Sequence, residues 1–152
     1  MALNGLKTLY SNLNDLDLEQ EQYQIIEDNK EELVIAQTEV LSEGKDKYGQ
    51  KRSDDYRPMT IEEKAKSGIV GLGRVIDRVT FYMRGNLYAS LFAKVSKRTF
   101  SIESPLDTYT KMLNRIGNEN YGLDPQRIFM FKQTITIPKL KEVFFRKTGL
   151  NM

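Results

Sequence analysis

Residues 78–104 read RVTFYMRGNLYASLFAKVSKRTFSIES, and the rest of the chain is organised around them. Leu87, Ala89, Leu91, Ala93 and Val95 alternate with Tyr88, Ser90, Phe92 and Lys94, which predicts a half-buried strand over 87–95. After the polar turn Ser96-Lys97-Arg98 the alternation resumes, with Phe100 and Ile102 inward and Thr99, Ser101 and Glu103 outward, as in a hairpin partner. Upstream, Val79 to Met83 is β-prone and closes on Arg84-Gly85-Asn86, where Gly85 can take a positive φ. The expectation is a small sheet of three to four antiparallel strands within about 75–104. A helical turn over 86–91 is the competing reading, because Leu, Ala and Ser tolerate helix.

Working outward, Leu3, Leu6, Leu9, Tyr10 and Leu13 recur at helical spacing and predict a short amphipathic helix. A second pattern runs from Leu18 through Ile25, Ile26, Leu33, Ala36, Gln37 and Val40 until Gly44 ends it. A single helix over 18–43 would be about 40 Å long, so part of it should project. Its stripe is interrupted by Gln22 and Asn29, and its outer face is acidic. That face either stays solvated or forms an interface.

Residues 44–59 are polar, contain two glycines and a proline, and have no apolar period, so they read as a long loop. Lys45, Lys47, Lys51, Arg52 and Arg57 interleave there with Tyr48 and Tyr56, a pattern that can hold nucleic-acid phosphates and stack on bases, although Asp46, Asp54 and Asp55 lie among them. The Asp54-Asp55 pair has no partner carboxylate at a metal-binding spacing, and no metal is expected. Thr60 and Glu63 form a capping box for a brief helix over 61–66. The following GIVGLGR satisfies neither common phosphate-binding glycine pattern and reads as a connector.

Beyond the hairpin, Ser104-Pro105 opens a helix carrying Tyr109, Met112, Leu113 and Ile116, which Gly117 stops. Asn118 to Gly122 reads as a turn, and Asp124-Pro125 repeats the start signal. Ile128, Phe131 and Ile135 have helical spacing, although Thr134 to Ile137 alternates in a β-branched run; Pro138 marks a break or kink. A last helix over about 138–148 turns Leu140, Val143 and Phe144 inward and Lys139, Lys141, Arg146 and Lys147 outward before Gly149. The chain therefore reads as one α+β domain: a helical arm (1–43), a loop (44–59), a hairpin core (60–117) and C-terminal helices (118–152).

The 152 residues contain no Cys, His or Trp. This excludes Ser-His and Cys-His nucleophile pairs, thiolate chemistry, Cys/His zinc sites and disulfides. No catalytic constellation and no cofactor are expected. An apolar fraction of 39% and a mean hydropathy of −0.52 imply a thin core with parts that lean on neighbours. With no apolar run long enough for a membrane span and no secretory pattern in MALNGLKTLY, the expectation is a soluble intracellular product. Residues 1–50 carry four basic and eleven acidic side chains, a net −7, while residues 51–152 carry 19 and 10, a net +9. Such halves attract each other within one fold, attract head-to-tail between copies, or stay solvated. For contact between copies, the acidic residues are Glu27, Asp28 and Glu31, and the basic ones are Lys139, Lys141, Arg146 and Lys147, or the 45–57 loop.

The segment IIEDNKEELVIAQTEVLSEGKDKYGQ, Ile25 to Gln50, resembles the opening of a family of tailed-bacteriophage virion proteins. In that family an acidic helix ends in an LxEGxDxxG turn, followed by a Tyr- and Lys-containing connector. YMRGNLYASLFAKVSKRTFSIESPLDTYTKMLNRIG, Tyr82 to Gly117, is similar to the TGxLxxSxxVxVxxxxFxIxS hairpin and following helix of phage neck and tail-completion (minor tail) proteins. NYGLDP, Asn120 to Pro125, resembles the GLT or GLD step after it. Arg84 stands where the family usually has Thr before the turn glycine. The resemblance implies a long helix beside a small sheet and a structural role without catalysis, as one copy in a ring at the head–tail junction or upper tail. It also implies contacts with other copies and with connector and tail proteins, and leaves open whether DNA in a channel is contacted, in a virion protein made in the host cytoplasm.

Overall fold

The computed structural model describes residues 2–52, 56–66, 68, 71–117 and 121–150. The Asp54-Asp55 pair, Ile69-Val70 of the connector and the first three residues of the 118–122 turn lie outside them. The fold is α+β: helices packed around one two-stranded antiparallel sheet. Strands β1 (Phe92–Val95) and β2 (Phe100–Glu103) pair with Ala93 opposite Ile102 and Val95 opposite Phe100. The Ser96 N–H donates to Thr99 O at 2.8 Å and closes the turn where the alternation placed it.

The expected strand over 87–95 is shorter than the alternation suggests. Asn86–Ser90 forms a one-turn helix, here α5, entered through Gly85 at φ 83°. Leu87 and Leu91 are buried as expected, but Ala89 is exposed, as a helical turn requires. Val79 to Met83 forms no strand. Its backbone groups are taken by side chains: Thr80 N–H donates to the Tyr56 hydroxyl at 3.0 Å, and Thr80 O accepts from the Tyr88 hydroxyl at 2.6 Å. Phe81 then takes φ 55°, which breaks an extended run. This segment is also tied to α4 (Pro58–Lys66), whose Lys64 is 3% exposed. Its Nζ donates to Val75 O at 3.1 Å and Tyr82 O at 2.9 Å and sits 4.4 Å from the Tyr56 ring centroid. The helix starts at Pro58, ahead of the expected capping box, because Pro suits the first helical position and Arg57 O accepts from Thr60 and Ile61 N–H.

The long helix is two helices. After α1 (Ala2–Asn14), α2 (Leu18–Asp28) starts on Asp17, whose side chain accepts from Gln20 N–H at 3.0 Å, and stops at Asn29. Asn29 has φ −122° and ψ 21°, and its side-chain amide donates to Ile25 O at 2.6 Å. An Asn that bonds the preceding turn competes with helix propagation. The chain resumes as α3 (Lys30–Ser42), which buries Leu33, Gln37, Val40 and Leu41 at the spacing of one helical face. Against that face pack α5, the sheet, Met112 of α6 (Asp107–Ile116) and Leu123, forming the main core.

At the C-terminus, α7 (Pro125–Phe131) runs through a π-turn (Lys132–Thr136) into α8 (Ile137–Thr148), which Gly149 ends at φ 73°. Pro138 has no N–H for the carbonyl four residues back, and its ring crowds that carbonyl, so the helix widens ahead of it. The expected break is thus a bulge within a continuous helix. Among the described residues, the whole run from Pro125 to Thr148 buries only Thr136.

Candidate functional site

The segments LSEGKDKYG and YGLD, which lie far apart in sequence, are packed together. The first ends α3 in a Schellman motif: Lys45 N–H donates to Val40 O and Gly44 N–H to Leu41 O, both at 3.1 Å, with Gly44 at φ 67°. Arg78 closes over this end, its Nε donating to Ser42 O at 2.9 Å, and a Cβ on Gly44 would lie 2.9 Å from Arg78 Cβ. Gly44→Ala combines a left-handed backbone with that clash and should cost about 1–2 kcal/mol, read as a lower urea midpoint. An unchanged midpoint would mean that Arg78 does not press on the turn.

Asp46 shapes the loop that follows. Its Oδ1 accepts from Tyr48 and Gln50 N–H, both at 2.9 Å, while its own N–H donates to Gln50 O at 2.9 Å. Lys45 and Lys51 form an antiparallel bridge, and Arg52 N–H returns to Gly44 O at 2.9 Å. Residues 44–52 are thus an ordered turn where the composition suggested an irregular loop. Gly49, at φ 79°, lies against Asp124, and Gly122 faces the Lys47 stem.

Asp124 caps α7 by accepting from Arg127 N–H at 2.9 Å, and Arg127 joins the two segments. Its Nη1 is 2.6 Å from Asp124 Oδ2, its Nη2 2.7 Å from Glu43 Oε1 and its Nε 3.5 Å from Glu39 Oε2. Lys45 holds the other Glu43 oxygen at 2.7 Å. Burial pushes the Asp124 carboxyl up, but the backbone and side-chain hydrogen bonds of Arg127 outweigh it and hold the group below its ordinary value. The Lys45 and Arg127 hydrogen bonds outweigh burial at Glu43 and lower it as well. Neither Asp124 nor Arg127 stood out in sequence as a partner of the LSEGKDKYG turn; the only local signal was the Asp124-Pro125 helix start.

The basic loop residues are only partly free. Lys45 is bound to Glu43, Lys47 sits 5.1 Å from the Tyr48 ring centroid, and the Arg52 guanidinium lies 5.1 Å from that of Phe81. Lys51 and Arg57 are exposed. At the charged helices, Lys147 pairs with Glu21 and Lys139 donates to Asn29 Oδ1 at 2.9 Å, both within the chain. Lys141 and Arg146 are exposed. Glu27 pairs with Lys30, Asp28 accepts from Gln24 at 2.7 Å, and Glu31 is exposed.

Exposed apolar side chains gather on the outer helices. Leu6 and Tyr10 of α1 are 64% and 68% exposed, and Phe129, Met130 and Phe145 of the C-terminal helix are each more than half exposed. A groove of about 420 Å³ between α3 and α7 sets Glu32, Glu39 and Glu43 against Met130 and Ile135. Another, of about 560 Å³, lies between β2, α6 and the Tyr121–Leu123 turn. Among the described residues no cluster of acidic side chains is arranged as a metal site, and no helix is long and apolar enough to cross a membrane. Comparison with protein-family models, curated proteins and solved structures gives no match.

Proposed function

We propose that the protein is a structural subunit of a tailed-phage virion, one copy in a ring at the head–tail junction or upper tail, and not an enzyme. The observation that carries the subunit reading is the apolar surface of α1 and the C-terminal helix. Leu6, Tyr10, Phe129, Met130 and Phe145 remain in water in the single chain, and side chains of this kind concentrated on outer helices are what a neighbouring subunit covers. The phage assignment rests on the resemblance of the 25–50, 82–117 and 120–125 segments, and the contact between LSEGKDKYG and YGLD supports it by giving both segments a shared structural purpose. A contact between unlike surfaces repeats from copy to copy and can close into a ring.

The nucleic-acid alternative draws less support, because Lys45, Lys47, Arg52, Lys139 and Lys147 already have partners inside the chain. Light scattering and electron microscopy of the purified chain without DNA test the primary reading. Regular rings are expected; a monomer at all concentrations, together with duplex binding that weakens steeply with salt, would replace it with the alternative. Charge should steer the contact, so reversing Glu27, Asp28 and Glu31 to Lys should reduce assembly at low salt and leave helix content intact. Unchanged assembly of that variant at low and moderate salt would discard the charge-steered interface.

A further inference from the structure

We infer that α1, α2 and α8 form an arm that pivots as one body on the core, with its two hinge points at Asn29 and the Lys132–Thr136 π-turn. The chain crosses between arm and core at both places: at Asn29 the helix is interrupted, and at the π-turn it stays continuous but widens by one residue. The crossings are neighbours in space: Lys139, in the first turn of α8, donates to Asn29 Oδ1 at 2.9 Å. A break and an adjacent π-bulge define one axis, since a helix bends where its regular ladder is disturbed, whereas two distant points would leave the arm tethered elsewhere.

Packing divides along the same line, with α2 as the seam: Ile26 packs on the edge of the main cluster, and α2 meets β1 and the π-turn. Among the described residues, every buried member of the main apolar cluster comes from α3, α5, the sheet, α6, Leu91 or Leu123, and none from α1, α2 or α8. Within the arm, α8 packs on both α1 and α2, and Lys147 pairs with Glu21. Across the joint, packing is looser. A void of about 50 Å³ lies between Ile26 and Gln22 on one side and Leu33, Phe100, Ile128 and Thr136 on the other. The Thr136 hydroxyl is buried beside it with no hydrogen-bond partner. Arg98 to Glu19 is an exposed ion pair across the joint, of the kind that contributes little and breaks readily.

The absence of cysteine in the 152 residues allows spin-label pairs at two chosen positions only. In the 152-residue chain, diluted with unlabelled copies so that only distances within one copy are read, Lys7→Cys with Lys94→Cys spans arm to core; Lys7→Cys with Lys141→Cys lies within the arm, and Lys94→Cys with Lys111→Cys within the core. The arm-to-core distance distribution is expected to be about two-fold wider than either control, as hinge rotation spreads one distance and spares the others. Equal widths in all three would overturn the inference. Deleting Gln133 removes the extra residue that the π-turn accommodates and should narrow the arm-to-core distribution. Asn29→Ala, which favours a continuous α2–α3 helix, should do the same. An arm-to-core width unchanged by the folded variants would remove these two points as the pivot. The inference stands apart from the assembly reading, since it concerns distances within one copy of the chain.

Discussion

Replacing Gln37 with Met raises the stability of the fold, with an expected gain of about 1–3 kcal/mol and a Tm increase of roughly 3–8 °C for a chain of this size. Gln37 is fully buried in the middle of the α3 core face, between Leu33 on one turn and Val40 and Leu41 on the next. Both its carboxamide oxygen and its nitrogen lack a hydrogen-bond partner. An amide taken out of water without compensation loses its hydration and gains nothing in return. Met keeps the unbranched shape and similar length, so the space stays filled while the uncompensated polar atoms disappear. Urea and thermal unfolding at neutral pH measure the change. A lower midpoint in the Met variant would show that the carboxamide is bonded in solution, and would make Gln37 a specific polar contact of the core instead of a cost to it.

The helical face that exposes this cost was legible in the sequence, and so was the Phe92–Glu103 hairpin, whose turn residues Ser96 and Thr99 fix the register. Leu87 and Leu91 could not settle their own element. A spacing of four satisfies both strand alternation and a helical turn, and only the exposure of Ala89 separates the two. The missing third strand has a tertiary cause, since the hydroxyls of Tyr56 and Tyr88 claim the Thr80 backbone. Asn29 interrupted the apolar stripe visibly, yet a stripe shows which side chains are buried and does not show that an Asn side chain will bond Ile25 O. Pro138 marked a disturbance, and whether a helix breaks or widens around a proline depends on what its neighbours pack against. At the candidate site, the glycines and Asp46 of LSEGKDKYG announced a turn, whereas the partner that pins it, Arg127, lies 84 residues from Glu43 and leaves no local trace. The charge halves likewise left open the choice between partners, and Lys147 with Glu21 resolves part of that attraction inside the chain.

Removing that pin has the second large effect: Arg127→Met is expected to cost about 3 kcal/mol at neutral pH. The Arg127 side chain is 16% exposed and that of Asp124 4%, so the substitution leaves a buried carboxylate with only its backbone donors. Glu39 and Glu43 are better hydrated and contribute less. The same pairs predict the acid response. Asp124 and Glu43 both titrate below their ordinary values in the folded chain, so from about pH 4 downward the unfolded chain binds protons first. Their stabilisation is therefore complete above the ordinary carboxylate range and is lost as pH falls through the lower folded values. Arg127→Met should flatten that slope, making the difference between variant and wild type smaller at pH 3 than at pH 7. Adding Asp124→Asn to Arg127→Met should recover part of the loss, since an amide is less costly to bury than an unpaired carboxylate. Urea midpoints of the wild type and both variants at the two pH values give the result. A variant whose deficit stays the same at pH 3 would show that Arg127 acts through packing of its stem and not through the carboxylates it holds.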